Sequence, residues 1–443
     1  MGHTMSNFKA DANAKVDAAS SRVQSLEANV TARPSYAAAF ECIGASCEDT
    51  CCKGWPIPLD QATYKQYRSF PEDRLGSVVT QYVKIAVNAP PSHFAKIAQA
   101  ASGACPFFNA DHMCDIQKEY GPKLLSTTCS TYPRALNRVH GVLEGSLLLS
   151  CPEAARNVLL DPYLLERAGD LDAGQFRTDR VVRLASNQTA SIQKPYDFFD
   201  AVRQALIRTV RDRSRPLWQR LLLIGSLCKS LDEVSTDEAE AKVPAILDDH
   251  RRALEQNLLR AELESIPAQP GLQLNLFLRL TDERVRDKTS GVRFRDTFWT
   301  FVEGIGSAGE AAPGADIERY LEAEERYHRP FFTDRPYILE NFLLNYIFQS
   351  LFPFGRENTL RSTPRRIFEE YVLLATQFAW INTLLIGTAG HYKQEFAEEH
   401  VVHVVQSFCR EVEHNAYVLI SMVELMAHLK LDNLPGISML LKH

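Results

Sequence analysis

Eight of the ten cysteines of this 443-residue chain fall between Cys42 and Cys151, and whatever fold forms there has to place them. Cys42, Cys47, Cys51 and Cys52 lie within eleven residues in the pattern C-x4-C-x3-C-C, and Cys105, Cys114, Cys129 and Cys151 follow at wider intervals. A cysteine that only packs is a small apolar residue and needs no company. Two sets of four are what zinc ions or iron–sulfur clusters take as ligands. Cys228 and Cys409 stand apart in apolar helical contexts and read as buried packing residues.

Compartment decides between metal and disulfide. The N-terminal segment MGHTMSNFKADANAKVDAASS has no apolar run of the signal-peptide kind. No stretch reaches the ~18 uninterrupted apolar residues of a membrane helix. Residues 371–386 come nearest, but Thr376, Gln377, Asn382 and Thr383 interrupt them, so they read as a buried helix. A cytoplasmic location without membrane association is therefore expected, where thiols stay reduced and clustered cysteines bind metal. The formal charge of −6 and the lack of a basic run argue against nucleic acid as a partner.

The expected fold class is mainly α: a cysteine-rich metal- or cluster-binding N-terminal domain of short helices and loops, followed by an all-α C-terminal domain. Residues 1–35 form an extension, helical or partly disordered, with Val16, Val23, Leu26 and Val30 near a heptad. Residues 36–165, dense in Gly and Pro turn signals, form the cysteine-rich domain, and residues 166–443 the helical one. In the first, helices are expected at 59–70, with Asp60 as N-cap, and at 152–160, with Pro152 in the first turn followed by Glu153. In the second, they are expected at 197–210, 216–231, 244–264, 317–327, 340–352, 364–386, 393–409 and 415–429. Strand signals are sparse, and the segment GIGSAGEAAPGAD from Gly304 reads as a long loop.

Cys47, Cys51 and Cys52 fall short of the C-x3-C-x2-C triplet of radical S-adenosylmethionine enzymes, because Gly54 stands where the third cysteine is needed. Neighbouring side chains on an extended backbone point to opposite sides, so Cys51 and Cys52 reach one small site only through a turn. Two arrangements follow: two four-thiolate sites that divide the pair, or one site with the remaining thiols left over. Phe107, Phe108, Trp55 and Tyr132 supply the dry surroundings that suit an iron–sulfur cluster, with zinc as the alternative.

The strings FECIGASCEDTCCKGWPIPLD (40–60), CPFFNADHMCDIQKEYG (105–121), LLSTTCSTYPR (124–134), SLLLSCPEAARNVLL (146–160) and ENFLLNYIFQSLFPFG (340–355) together resemble the FliB-type flagellin lysine N-methylase family. The resemblance runs over roughly residues 36–430. It implies transfer of methyl groups from S-adenosylmethionine to lysines of a surface protein, flagellin in the best-known members, with a [4Fe–4S] cluster involved. The C-P-F core at Cys105 is shared more loosely with metal-chelating cysteine domains at large, which leaves a non-enzymatic zinc- or iron–sulfur-binding redox or interaction module as the alternative.

Methyl transfer to an amine needs the lysine neutral, although its ordinary pKa is ~10.4, so a base or a desolvated pocket is required. Tyr132, Glu48 and Asp49 are the candidate catalytic groups, with Glu153 a further carboxylate beside a thiol. For the methyl donor, Arg134 could grip a carboxylate, Trp55 and Tyr132 could face a sulfonium cation, and Glu153 completes that set. Each has a plainer structural reading as a loop charge, a helix-start acid, a salt bridge or core. Gly304, Gly306 and Gly309 spell G-x-G-x-x-G without the strand that a nucleotide site requires. His391, His400, His403 and His414 read as surface or core histidines.

Overall fold

The structure is a computed structural model that describes residues 34, 36–87, 89, 91–166, 181–184, 186, 192–287, 289–306, 314–355 and 365–443. The expected heptad helix within residues 1–35 lies outside them. Helix dominates, and two small sheets stand in the cysteine-rich part.

The first sheet has the order β1-β3-β2, from Ile57–Leu59 (β1), Val83–Ile85 (β2) and Ala95–Ile97 (β3), all antiparallel. Around it fold α1 (Gln61–Arg68) and α2 (Arg74–Tyr82). Asp60 caps α1 as expected, its Oδ1 accepting the Thr63 N–H at 2.9 Å, while Leu59 belongs to β1. The sheet, the helices and the later helices α3 (Asp115–Tyr120) and α4 (Thr127–Thr131) enclose a small core of Ile57, Leu59, Tyr67, Leu75, Val79, Phe107 and Ile116. Trp55, Cys105 and Cys114 pack against that core.

The second sheet corrects the expectation of loops and short helices alone. β4 (Arg134–Val139) and β5 (Val142–Leu147) form a hairpin, and β6 (Val182–Arg183) joins β4 in parallel. His140 and Gly141 turn it with φ of 46° and 84°. Two positive φ values in a two-residue loop match the twist of the strands it joins. β5 is buried at five successive positions, so it lacks the alternation that marks a strand in sequence. α5 (Pro152–Leu159) follows, with Pro152 in its first turn as expected.

The rest is helical: α6 (Phe199–Arg211), α7 (Leu217–Asp232), α8 (Ala239–Glu255), α9 (Arg260–Ser265), α10 (Pro270–Arg286), α11 (Val292–Gly304), α12 (Ala315–Ala323), α13 (Arg329–Asp334), α14 (Tyr337–Ser350), α15 (Ile367–Tyr392), α16 (Glu398–Phe408), α17 (Ala416–His428) and α18 (Leu434–Leu441). The single helix expected over 244–264 is two. α8 starts earlier, at Ala239, and tolerates Pro244 inside it; Asn257 and Leu259, at φ of 56° and 64°, then break the chain. Among the described residues α15 is the axis. Its side chains from Tyr371 to Ala389 are all buried, as expected for 371–386, although the helix is long and apolar enough to cross a membrane. A helix apolar all round belongs in a protein core or a bilayer, and here it is covered by the other helices. Its first N–H, from Ile367, is accepted by Asp232 Oδ1 at 2.9 Å, so the end of α7 caps the start of α15.

One large core joins α15 to its neighbours and reaches into the cysteine-rich part, taking in Tyr36, Phe40, Leu147, Cys151 and Val158. Cys228 and Cys409 lie buried in it, as expected. Gly304 is a packing residue at the end of α11: a Cβ there would stand 1.8 Å from the Gly387 carbonyl oxygen, and one on Gly387 would stand 2.2 Å from the Phe301 ring. The glycines thus let α11 and α15 touch backbone to backbone, and Gly309 of the G-x-G-x-x-G string lies outside the described residues.

Two outcomes follow. Gly304→Ala forces these backbones apart and is expected to cost about 1–3 kcal/mol, read by urea denaturation; an unchanged midpoint contradicts the close crossing. The second concerns His250, buried in α8, whose Nε2 lies 2.7 Å from Thr209 Oγ1. That hydroxyl already donates to the Ala205 carbonyl, so the imidazole donates to it. Burial lowers the His250 pKa to about 4 from an ordinary 6.5. Stability from this group is complete above the unfolded value and is lost as pH falls towards the folded one, by about 2 kcal/mol between pH 7 and pH 5. His250→Gln should flatten the pH dependence of wild-type stability by that amount, and parallel curves for the two proteins would refute it.

Candidate functional site

The thiols are placed by short backbone ties. The segment after Cys51 is zipped to that before Cys105: Lys53 bridges Ala104, Cys105 N–H donates to the Cys52 carbonyl at 2.7 Å, and Gly54 N–H donates to Gly103 O at 3.1 Å. Phe108 bridges Cys114 across a turn closed by Asn109 N–H to Met113 O at 2.9 Å. The side-chain oxygen of Asn109 also accepts the Asp111 and Met113 amides. Cys114 and Cys151 each occupy the position before a helix, α3 and α5. Amides in the first turns, Ile116 and Gln117 for one and Glu153 and Ala154 for the other, favour their charged forms without closing a conventional cap bond. Cys129 sits in α4, whose cap Ser126 also favours its thiolate.

The eight thiols sort into two groups. Cys52, Cys105, Cys114 and Cys129 all lie within electrostatic reach of one another, every pair opposing the other's ionisation. Tyr67 stands beside three of these four, and its phenol donates to the Leu124 carbonyl at 3.0 Å. Cys42, Cys47 and Cys151 are mutual neighbours in the same sense, and Cys51 lies near Cys151 and Cys129. Cys51 and Cys52 share a turn, and the Cys51 thiol donates to the Cys52 sulfur, raising the first and favouring charge on the second. Burial pushes Cys105 and Cys151 up to about 12. Gathered thiols of this kind stay neutral unless a cation offsets their mutual repulsion.

Whether these residues suit a metal group depends on donor type and spacing. The donors are all sulfur, with amide or hydroxyl groups directed at several of them, the pattern that stabilises cluster thiolates. Among the described residues, however, no three His, Cys, Asp or Glu side chains close in on one ion. Four sulfurs around one zinc at 2.3 Å stand about 3.8 Å apart. A cube of four irons and four sulfides is larger and spaces its thiolates more widely. A donor set made wholly of sulfur suits a zinc ion and an iron–sulfur cluster alike.

The remaining sequence-derived candidates fall at the junction of the cysteine loops with the helices. Asp49 pairs with Arg410 at 2.8 Å and accepts the Gln406 amide at 2.8 Å. Arg410 also donates to the carbonyls of Thr50 and Lys53. Glu48 pairs with Arg156 at 2.8 Å, and Arg156 reaches Glu153 as well, which ties the Cys47 loop to the helix that Cys151 precedes. Arg134 donates to the Ala37 and Phe40 carbonyls at 3.0 and 2.7 Å and lies over the Phe40 ring. Trp55 donates to the Cys51 carbonyl at 2.9 Å, and its ring lies 6.4 Å from that of Tyr132. The Tyr132 hydroxyl is 3.1 Å from Ser150 Oγ, which is 2.7 Å from His414 Nε2. Desolvation, and after it the nearby Cys151, hold the Tyr132 phenol well above its ordinary value.

Sequence reasoning did not single out Ser150, Gln406 or Arg410, and set His414 aside. Gln406, Arg410 and His414 come from a π-helical turn, Cys409–Glu413, and its flanks, which no local pattern announces, and Ser150 from the turn directly before Cys151. His400 and His403 do not pair: His400 accepts the Ala397 amide and stacks on Tyr392, and His403 lies 3.1 Å from the Arg293 carbonyl. A cavity of about 340 Å³ lies elsewhere, lined by Lys194, Leu231, Asp232 and Arg366 among others, without a thiol.

Comparison with known proteins adds the following. Residues 203–440 match the family model of the FliB lysine N-methylase C-terminal domain. The chain is 25% identical over 398 residues to the lysine-N-methylase of Salmonella typhimurium (strain LT2), covering 87% of this chain and 92% of that protein. The lysine-N-methylase of Salmonella choleraesuis (strain SC-B67) is matched to the same extent. The flagellar biosynthetic protein FliU of Salmonella muenchen is 37% identical over 130 residues, 29% of this chain and 76% of that protein. No solved structure matches.

Arg410→Ala removes the partner of Asp49 and two carbonyl contacts. Charge-assisted bonds of this kind carry about 1–3 kcal/mol. The expected result is a stability loss of that size with unchanged helical circular dichroism, and faster iodoacetamide labelling of Cys51 and Cys52 in metal-free protein. Unaltered labelling would mean that the loop is held by something else.

Proposed function

Because the chain belongs to the FliB lysine N-methylase family, we propose that it is a protein-lysine N-methyltransferase acting on flagellin, with S-adenosylmethionine as methyl donor and a thiolate-held [4Fe–4S] cluster as cofactor. The observation that carries the reading is the match along 92% of a lysine-N-methylase together with the family match over residues 203–440. Flagellin as acceptor rests on the family resemblance and on the flagellar name of the FliU relative.

In the transfer the neutral lysine nitrogen attacks the sulfonium methyl carbon. The C–N bond forms as the C–S bond breaks, its electron pair returning to sulfur, and the new ammonium group sheds a proton. The Trp55 and Tyr132 rings, beside Cys51, offer an aromatic face to a sulfonium cation. From half-buried Tyr132 the hydroxyl chain through Ser150 to exposed His414 gives a proton a path to solvent. Asp49 and Glu48, both ion-paired, hold the thiol loop in place in this reading. The cluster would be held by thiols of the eight-cysteine set, and when bound it supplies positive charge that keeps them ionised, with the capacity to pass single electrons.

The test is incubation of anaerobically purified, iron-loaded protein with S-adenosylmethionine and flagellin, followed by mass spectrometry of the flagellin peptides. Lysines heavier by one or more methyl groups are expected. Unmodified lysines on several flagellins would end the enzymatic reading in favour of a metal-binding module.

A further inference from the structure

We infer that the outward face of α11, made of Val292, Asp296, Trp299 and Glu303, is the surface on which the protein acceptor docks, holding a lysine-bearing segment of it by charge and by an aromatic contact. The inference rests on the protein-acceptor part of the reading above and adds where and by what chemistry the acceptor is recognised.

The exposed residues of α11 are these four. At about 100° per residue they fall within an arc of about 60°, in a row about 16 Å long. The other side of the helix, with Phe294, Phe298 and Phe301, is buried. A helix face turned to water needs only polar side chains, yet Val292 is 63% exposed and Trp299 54%. The Trp299 ring leans on Phe298, 5.2 Å between centroids, so it is held in place while more than half of the residue stays in solvent. An ordered tryptophan at the surface is the kind of side chain that anchors a protein contact.

Charge decides the occupant. Asp296 stands three residues before Trp299 and Glu303 four after it, so a carboxylate flanks the indole on each side along one face. A lysine ammonium placed there meets a carboxylate and the aromatic ring best suited to a cation. The arginines of α11 are occupied elsewhere: Arg293 donates to Gln406 at 2.8 Å and Arg295 to the Ser290 carbonyl. A second copy of this chain fits poorly, because two-fold pairing sets the patch against itself and carboxylate against carboxylate. An anionic membrane surface is repelled by the same acids.

The row is also continuous with the candidate site. Gln406, which accepts from Arg293, donates to Asp49 of the thiol loop at 2.8 Å, and His403 lies 3.1 Å from the Arg293 carbonyl. The Val292 end of the face is thus separated from that loop by a single side chain.

The experiment measures binding of monomeric flagellin to the immobilised full-length protein by biolayer interferometry, at low and at physiological salt. The proteins are wild type, Trp299→Ala, the Asp296→Lys/Glu303→Lys double variant, and Tyr417→Ala, an exposed residue of α17, as control. Trp299→Ala is expected to weaken binding by about tenfold or more. The double variant should lose at least as much and also lose the weakening by salt seen in wild type. Tyr417→Ala should bind as wild type does, and flagellin with acetylated lysines should bind wild type poorly. Undiminished binding in both α11 variants, loss in Tyr417→Ala alone, indifference to acetylation, or no binding by wild type each overturns the inference. So does a changed oligomeric state of Trp299→Ala with unaltered flagellin binding, which would make the face a contact between copies. Circular dichroism checks the fold, and Asp296→Asn/Glu303→Gln replaces the charge reversal should that variant misfold. Methylation is followed in the same samples: flagellin bound through α11 but left unmodified defeats the enzymatic reading and spares this one, and methylation with undiminished binding in the variants does the reverse.

Discussion

The contact on which the thiol loops depend is the half-buried junction of Asp49 with Arg410 and Gln406. Gln406 also donates to the Ser150 carbonyl at 2.9 Å and accepts from Arg293 at 2.8 Å, so one side chain touches the loop, the turn before Cys151 and α11. Hydrogen-bonded networks of this type are costly when incomplete and rigid when complete. The cysteine-rich part is thus not a tethered module. It is seated on the helical body by directed polar bonds, supplemented by buried pairs such as Arg203 with Glu144 at 2.6 Å.

Parts of this arrangement were legible in the sequence for definite reasons. Asp60 before α1 and Pro152 at the start of α5 carry local capping chemistry, which needs no knowledge of distant residues. The burial of residues 371–386 was legible in an apolar run broken by Thr376, Gln377, Asn382 and Thr383. What stayed hidden depended on long-range partners. β5 is covered on both faces, so its pattern did not alternate, and His140-Gly141 is a less familiar turn pair than Asn-Gly. Gly304 looked like part of a loop because its reason for being glycine is the carbonyl of Gly387.

At the site, clustering made the thiols visible while their surroundings were not. Glu48, Asp49 and Glu153 drew attention as acids near cysteines, and the structure gives each an arginine partner. Those arginines lie far away in sequence or on the next turn, so only the fold could pair them. Tyr132 kept its interest because its hydroxyl meets Ser150 and, through it, a histidine that sequence reading had set aside.

The π-helical turn at Cys409–Glu413 carries a consequence for how chains of this kind can vary. Such a turn holds one residue more than the α-helical path it interrupts. Removing a single residue from the plain helix leading into it, where no extra residue absorbs the change, would swing everything after it by about 100° about the axis. His414 would leave Ser150, although no contacting residue had been replaced. Length in this short segment is therefore as constrained as chemistry: a substitution trims one bond, but an indel rewinds the approach of the helical body to the thiols.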